Sequence, residues 1–374
     1  MKSDTRDHIQ EKRYDQLKQT LDEWMKCCIL IVITGSVGVG KSSFINNMLG
    51  LPDEDCRNAE TGIGDTTQKP KLYSDPCNGK MLFLDVPGFG SLTNECDEKY
   101  LKEIHAAEAD FFLIFYGTTI SKKEIWLIEK LQEMKKKFAL VRTRADDFKN
   151  MKKKSVEEWI NEAKTKCHND LQKNNIANVK VFIISNIDPD IGEFHNLFTF
   201  MGESMSDVQR SAILHYTKVF TDEIIEGKKK QLLSRTWLIA GAMTLNSSFP
   251  LPLLKMIVHD PLLKKEVQLY RETFGLEDDV LEHIPKESIE KLDISMSPHV
   301  KGIASAFRLI GMVSTATALI LGPPSVVFLD GLIEPVVTVT QYVVYVKDLR
   351  GIVKQLAAVA KRARNRHLNH LINE

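Results

Sequence analysis

What this chain has little of already narrows it. Net charge is absent: 50 Lys and Arg stand against 50 Asp and Glu. No global field therefore draws the protein towards nucleic acid or an anionic membrane, and any such attraction must be local. Cysteine is sparse, and Cys27, Cys28, Cys56, Cys77, Cys96 and Cys167 show no paired metal-ligand spacing. The opening MKSDTRDHIQ carries neither a signal peptide nor a glycine at position 2 for myristoylation. The expected setting is the cytosol, where these cysteines are reduced thiols used mainly for packing and the sequon at Asn246-Ser247-Ser248 carries no meaning. An uninterrupted membrane span is missing too. Leu309 to Leu329 has no charged residue, but Gly322-Pro323-Pro324 cuts it and Arg308, Asp330 and Glu334 bracket it. Neither half spans a bilayer, so a buried helical hairpin is the favoured reading, with bilayer contact by its tip as the alternative.

The 374 residues, 43% hydrophobic and 27% charged, exceed one ordinary core and suit two domains of a soluble protein. The most informative stretch is CILIVITGSVGVGKSS, Cys28 to Ser43. Ile29 to Ile33 reads as a buried strand, and Phe44, Ile45, Met48 and Leu49 follow at helical spacing. Between them lie Gly35, four residues, Gly40, Lys41 and Ser42, the spacing of a phosphate-binding loop. Such a loop must curl its backbone amides around a phosphate, which demands torsions and close approach that a Cβ would block. The expected phosphate cradle is Gly35, Ser36, Val37, Gly38, Val39, Gly40, Lys41, Ser42 and Ser43. Lys41 supplies a cation to the β- and γ-phosphates, Ser42 offers a hydroxyl to Mg²⁺, and the helix start adds its positive end.

Downstream segments extend the pattern. Leu51 to Pro70, rich in Asp, Gly and Thr, reads as a loop where a nucleotide-sensing switch would sit. Thr61, Thr66 and Thr67 are all candidates to place a hydroxyl on Mg²⁺ there, and Thr67 is carried forward in that role. Met81 to Asp85 is a short apolar strand ending in an acid and followed by Val86-Pro87-Gly88-Phe89-Gly90. Asp85 can hold Mg²⁺ through water, while the Gly88 amide can touch the γ-phosphate and report its loss. Ala109 to Tyr116 and Phe138 to Val141 are further buried strands, with a helix over Glu124 to Met134 between them whose side is marked by Ile125, Ile128, Leu131 and Gln132. Lys135 to Lys137 reads as its solvated end.

The Phe138 strand delivers Thr143-Arg144-Ala145-Asp146, which resembles the base-reading sequence of GTP-binding proteins. A carboxylate at Asp146 can accept from N1–H and the exocyclic amine of guanine, donors that adenine lacks. Arg144 stands where lysine is usual and can stack its guanidinium over the base. Lys180 to Ser185 is another strand, and Ser185-Asn186 at its end occupies the place of the loop that backs the guanine ring. The alternation of strands and helices predicts an α/β nucleotide domain with its ligand at the C-terminal strand ends. Beyond Phe194 the periodicity turns helical, as over Thr221 to Leu233. The expected division is an N-terminal helix over 1–26 marked by Tyr14, Leu17, Leu21 and Trp24, a nucleotide domain over 27–195, and a helical domain over 196–374 into which the first helix packs. From Lys347 to Arg366 a basic amphipathic helix, with Ile352, Leu356, Val359 and Ala363 along one side, can lie on anionic membrane, bind a partner or cover the helical domain.

GSVGVGKSSFINNMLG, TGIGDTTQKP, LDVPGFGS, ADFFLIFY, LVRTRADD and FIISN occur in that order, and RTWL and YRETFG follow. With these the chain resembles the immunity-related GTPases, an interferon-inducible, dynamin-like family, over about residues 10 to 285. The resemblance implies a Ras-like P-loop GTPase domain, α/β in class, joined to an α-helical second domain built from N- and C-terminal segments. It implies GTP and GDP with Mg²⁺ as ligands, hydrolysis of GTP, GTP-dependent dimers or oligomers, and a cytoplasmic protein peripherally associated with intracellular membranes in cell-autonomous immunity. Lys41 places the chain with the effector-like Gly-Lys-Ser members. The acidic switch residue implicated in the family's catalysis matches Asp65, one methylene shorter than the family's Glu. Lys41, Asp65, Thr67 and Gly88 form the candidate catalytic set, and Ser42, Thr67 and Asp85 the candidate metal ligands.

No glutamine follows Asp-Val-Pro-Gly to orient water; Phe89 and Gly90 stand there, so intrinsic hydrolysis is expected to be slow and dimerisation across the nucleotide face to supply the missing stabilisation. A rival reading is a GTP-binding scaffold or regulator of related GTPases with little turnover. Nucleic-acid binding through Lys135 to Lys137 or Lys149 to Lys154 lacks aromatic interleaving and is not expected.

Overall fold

A computed structural model of the protein describes residues 19, 22–51, 55–60, 69–75, 79–87, 98–151, 153–246, 261–276, 343, 346, 347 and 349–365. The chain forms two compact units, one spanning Trp24–Thr221 and one drawn from the residues up to Glu23 and from Asp222 onward.

The first unit is built on a six-stranded sheet of β1 (Ile29–Gly35), β2 (Lys71–Ser74), β3 (Met81–Asp85), β4 (Phe111–Phe115), β5 (Phe138–Arg142) and β6 (Val181–Ile183). Their order is β2-β3-β1-β4-β5-β6. All neighbours run parallel except β2, which pairs antiparallel with β3 at the edge. The central strands are buried on both faces, which is why ILIVITG and FFLIF are nearly continuous apolar runs. The edge strand β2, KLYS, buries only Tyr73 and leaves Leu72 exposed, so it gave no apolar run to read from the sequence.

Helices α1 (Lys41–Leu49), α2 (Glu98–Glu103), α3 (Lys122–Glu133) and α4 (Val156–Lys173) cover the sheet together with α5 (Phe194–Glu203) and α6 (Asp207–Tyr216). The last two lie beyond the boundary expected at 195, and the unit continues through them to Thr221. Aromatic packing holds α5 there: Phe194 meets Phe44 with ring centroids 6.1 Å apart, and Phe200 meets Phe182 at 5.6 Å and Phe111 at 6.1 Å. On α6, Gln209 Nε2 donates to Asp110 Oδ1 at 2.8 Å, while Asp110 Oδ2 accepts the β1 amide of Leu30 at 2.8 Å. Trp24 stands in a 3-10 turn over Glu23–Lys26 and stacks on His215 at 3.9 Å and 10°. It therefore packs within the sheet unit; Tyr14, Leu17 and Leu21 lie outside the described residues.

The inward face of α3 differs from the expected one. It buries Glu124, Leu127, Ile128 and Leu131, while Ile125 is only partly covered and Gln132 reaches the Ala177 carbonyl from the surface. Glu124 turns in because it has hydrogen-bond donors there, given below. Lys136 is likewise more than a solvated end, since its Nζ donates to the carbonyls of Ala107 at 2.6 Å and Ala109 at 3.1 Å.

In the second unit α7 (Asp222–Asn246) packs with α8 (Pro261–Thr273). Its buried positions include Ile225, Leu232 and Ile239, and with them Lys228 and Arg235. Buried cations need partners. Lys228 Nζ donates to the Thr273 carbonyl at 2.5 Å, and Arg235 forms a two-pronged pair with Glu266 at 2.6 and 3.0 Å and reaches Asp22 at 3.1 Å.

A helix over 349–365, here α9, buries Leu349, Val353, Leu356, Ala357 and Ala360. The buried face is turned from the expected one and shares Leu356 and Val359 with it, leaving Ile352 only half-buried. That apolar stripe is spent inside the unit, and Arg364 and Lys361 pair with Asp222 and Glu226 of α7, both at 2.9 Å. Among the described residues no helix is long and apolar enough to cross a membrane. Leu309 to Leu329 lies outside the described residues.

Candidate functional site

The site forms where β1, β3, β5 and β6 end. Parallel register aligns Ile33 with Asp85 on β3 and Gly35 with Phe115 on β4, so the loop after β1 opens beside Asp85 at the carboxyl edge of the sheet. Gly35 must be glycine: at φ +128° a Cβ there would lie 1.8 Å from the Phe115 carbonyl oxygen. Gly40 adopts φ +90°, and its Cβ would press on Thr143 Oγ1 at 2.9 Å. At these two positions the loop leaves room only for backbone.

Three side chains from the β5 and β6 loops hold successive carbonyls of the phosphate loop. Arg144 Nη2 reaches the Gly38 carbonyl at 3.4 Å, Thr143 Oγ1 donates to that of Val39 at 2.6 Å, and Asn186 Nδ2 to that of Gly40 at 3.0 Å. Asn47 of α1 closes the circuit by donating to the Asn186 carbonyl at 3.2 Å. The candidate base-reading residues thus brace the candidate phosphate-binding residues. Arg144 itself sits at φ +65° and is exposed, available to lie across a base.

Asp146 is half-buried, and Ser185 Oγ donates to its Oδ1 at 2.6 Å. The same hydroxyl oxygen accepts from the amides of Ile187 at 3.1 Å and Asp188 at 3.0 Å. Ser185 is fully buried, so this hub fixes the orientation of the carboxylate.

At the other end of the loop Lys41 is almost fully buried, its Nζ donating to the Ser36 carbonyl at 2.8 Å. Ser42 Oγ donates to Asp85 Oδ2 at 3.3 Å, and Asp85 is wholly buried. A serine hydroxyl beside a carboxylate is a pair of hard oxygen donors that fits Mg²⁺, a cation usually held by few protein oxygens together with phosphate and water. Val37 is half-buried, while Gly38 and Ser43 face solvent. Thr61, Asp65, Thr66, Thr67, Gly88, Phe89 and Gly90 lie outside the described residues.

One residue of this site escaped the sequence reading. Glu124, fully buried at the first turn of α3, accepts at Oε1 from Ser36 Oγ at 2.6 Å and Ser36 N at 3.2 Å, and at Oε2 from Ser121 N at 2.7 Å. Burial pushes its carboxyl above the usual range, and the hydrogen bonds from Ser36 and Ser121 oppose that rise. The Ser121-x-x-Glu124 capping box was a visible signal for the helix start. Nothing in that pattern pointed to Ser36, which lies 88 positions away.

Comparison of the sequence with known proteins finds a family. The family described as Interferon-inducible GTPase (IIGP) matches residues 4–363. Interferon-gamma-inducible GTPase 10 of Mus musculus is 32% identical over 295 residues, which is 76% of this chain and 70% of the relative. Interferon-inducible GTPase 1 of Mus musculus is 29% identical over 279 residues, 72% of this chain and 67% of the relative. Among solved structures, the FeoB G-domain from Methanococcus jannaschii aligns with 48% of this chain and 98% of its own at 19% identity and a TM-score of 0.30. A family match that runs through both compact units, together with a relative 32% identical over three quarters of the chain, leaves one conclusion: the chain belongs to the interferon-inducible GTPase family.

Proposed function

We propose that the protein binds GTP at this site with Mg²⁺, hydrolyses it to GDP, and couples the nucleotide state to self-association and to contact with intracellular membranes in cell-autonomous defence. The observation that carries the nucleotide part is the brace of Arg144, Thr143 and Asn186 on the carbonyls of Gly38, Val39 and Gly40. It ties guanine recognition and phosphate binding into one rigid piece, as a reaction that depends mainly on positioning requires.

Each residue has its part. Asp146, held by Ser185, accepts from guanine N1–H and the exocyclic amine. Lys41 exchanges the Ser36 carbonyl for β- and γ-phosphate oxygens, giving up a neutral acceptor for charged ones. Ser42 and Asp85 would hold Mg²⁺, which supplies charge neutralisation at the phosphates. Thr67, Asp65 and Gly88 are assigned to metal binding, catalysis and γ-phosphate sensing by family resemblance.

Self-association is proposed because Phe89 and Gly90 replace a water-orienting glutamine, so transition-state charge must be met from another subunit. Membrane contact is proposed through the exposed Lys347, Lys354 and Arg362, since the apolar stripe of α9 is buried against its own unit. Phosphate release from GTP is the test, measured per molecule over about a hundredfold range of protein concentration. Specific activity that rises with concentration supports the proposal. Flat specific activity overturns the self-association part, and tight GTP binding without phosphate release makes the protein a nucleotide-gated scaffold.

A further inference from the structure

We propose that Glu124 is a positioning residue for the phosphate loop, fixing Ser36 so that the Ser36 carbonyl holds Lys41 at the loop's mouth. This deepens the nucleotide-binding reading above and rests on it.

Ser36 is a node with all its polar groups engaged. Its amide is shared between Glu124 Oε1 at 3.2 Å and the Phe115 carbonyl at 3.1 Å, its hydroxyl donates to Glu124 Oε1 at 2.6 Å, and its carbonyl accepts from Lys41 Nζ at 2.8 Å. Hydrogen bonds to a carboxylate are short and strong, and those made away from bulk water are stronger still. The peptide that carries the Lys41 acceptor is thereby tied to the first turn of α3. Without Glu124 the Ser36 side chain has no such anchor, and Lys41 loses the fixed origin from which it moves onto phosphate.

A buried carboxylate beside an anion site is otherwise hard to explain. Its charge opposes phosphate, and burial alone disfavours the ionised form. Capping of α3 does not account for it. Ser155-x-x-Glu158 caps its helix with exposed residues, whereas the Glu124 side chain is buried and spends one oxygen on the cap and the other wholly on Ser36. The two oxygens make two separable roles.

That separation supplies the test. Affinity for a fluorescent GDP analogue and the thermal midpoint are measured for the full chain and for Glu124→Ala, Glu124→Gln, Ser36→Ala, Ser121→Ala and the Ser36→Ala/Glu124→Ala double variant. A glutamine side chain at this position keeps an amide oxygen for Ser36 but turns a donor towards the Ser121 amide; the substitution E124Q therefore preserves the loop role and spoils the cap. Glu124→Ala and Ser36→Ala are each expected to weaken GDP binding by about tenfold, the scale of one charge-assisted hydrogen bond. The double variant should be no worse than either single one, because both cut the same link. E124Q should recover most of the affinity, and Ser121→Ala should lower the thermal midpoint while leaving affinity unchanged. Additive losses in the double variant, or equal losses in Ser121→Ala and Ser36→Ala, would overturn the proposal. If Glu124→Ala does not fold, Ser36→Ala and E124Q carry the same comparison. Should the unaltered chain not bind GDP, the nucleotide reading itself fails, a result distinct from variants that bind as well as the parent.

Discussion

Exchanging Asp146 for asparagine should turn a guanine site into a xanthine site, and the orientation of the side chain can be worked out in advance. Ser185 Oγ donates to Asp146 Oδ1 at 2.6 Å, and that hydroxyl has its acceptor side occupied by the amides of Ile187 and Asp188. As a fixed donor it must face the carbonyl oxygen of an asparagine, which leaves the amide NH₂ in the place of Oδ2. Guanine would then present two donors to a donor. The loss is two charge-assisted hydrogen bonds at about 1.5–3 kcal/mol each, so GDP affinity should fall by roughly 10² to 10⁴. Xanthine carries a carbonyl where guanine has its amine, and the new NH₂ can donate to it. Competition of unlabelled GDP and XDP against a fluorescent guanine nucleotide reads both effects for the parent chain and Asp146→Asn. Ser185→Ala should fall between them, at about a tenfold loss for GDP, since the carboxylate stays but its orientation loosens. An Asp146→Asn variant that keeps GDP affinity within about threefold would refute the assignment of Asp146 to the base.

Other expectations follow from the same contacts. Arg235→Met strands the buried Glu266 carboxylate and should cost about 3 kcal/mol, read as faster hydrogen exchange across α7 and α8; Arg235→Met/Glu266→Leu should recover most of it, and slow exchange in the single variant would contradict the pairing. Gly35→Ala puts a methyl group 1.8 Å from the Phe115 carbonyl oxygen, so GDP binding should be lost, and a variant that binds normally would show that the loop has room the geometry denies. Among the described cysteines, alkylation followed by peptide mapping should mark Cys28 and Cys56 first, while Cys167, buried with its thiol pushed up to about 11 chiefly by burial, should react only after unfolding.

The elements that could be read from the sequence are those whose residue types are forced by one neighbour. β1, β4 and β5 are central parallel strands and had to be apolar on both faces, and Gly35 and Gly40 had to be glycine because Phe115 and Thr143 crowd them. Features that depend on distant packing were not legible. Phe194, Phe198 and Phe200 announce a helix, but periodicity does not say which surface that helix meets, and the sheet unit accordingly ends at Thr221 rather than at 195. On α9 two apolar faces sharing Leu356 and Val359 fit the helical period, and only the neighbours decide that Val353 and Ala360 go inward rather than Ile352 and Ala363. In the sequence Glu124 stood only as the first residue of a helix. The fold brings its first turn to Ser36, and that contact turns it into part of the site.

Phosphate release measured side by side from GTP and ATP, with Mg²⁺ present and with Lys41→Ala as the control, addresses the proposed activity most directly. GTP should be turned over and ATP rejected by about 10⁴, the penalty for leaving the Asp146 carboxylate without the donors of guanine, and Lys41→Ala should be inactive with either. Equal turnover of ATP and GTP, or activity that survives Lys41→Ala, would contradict a guanine-specific hydrolase acting through this loop.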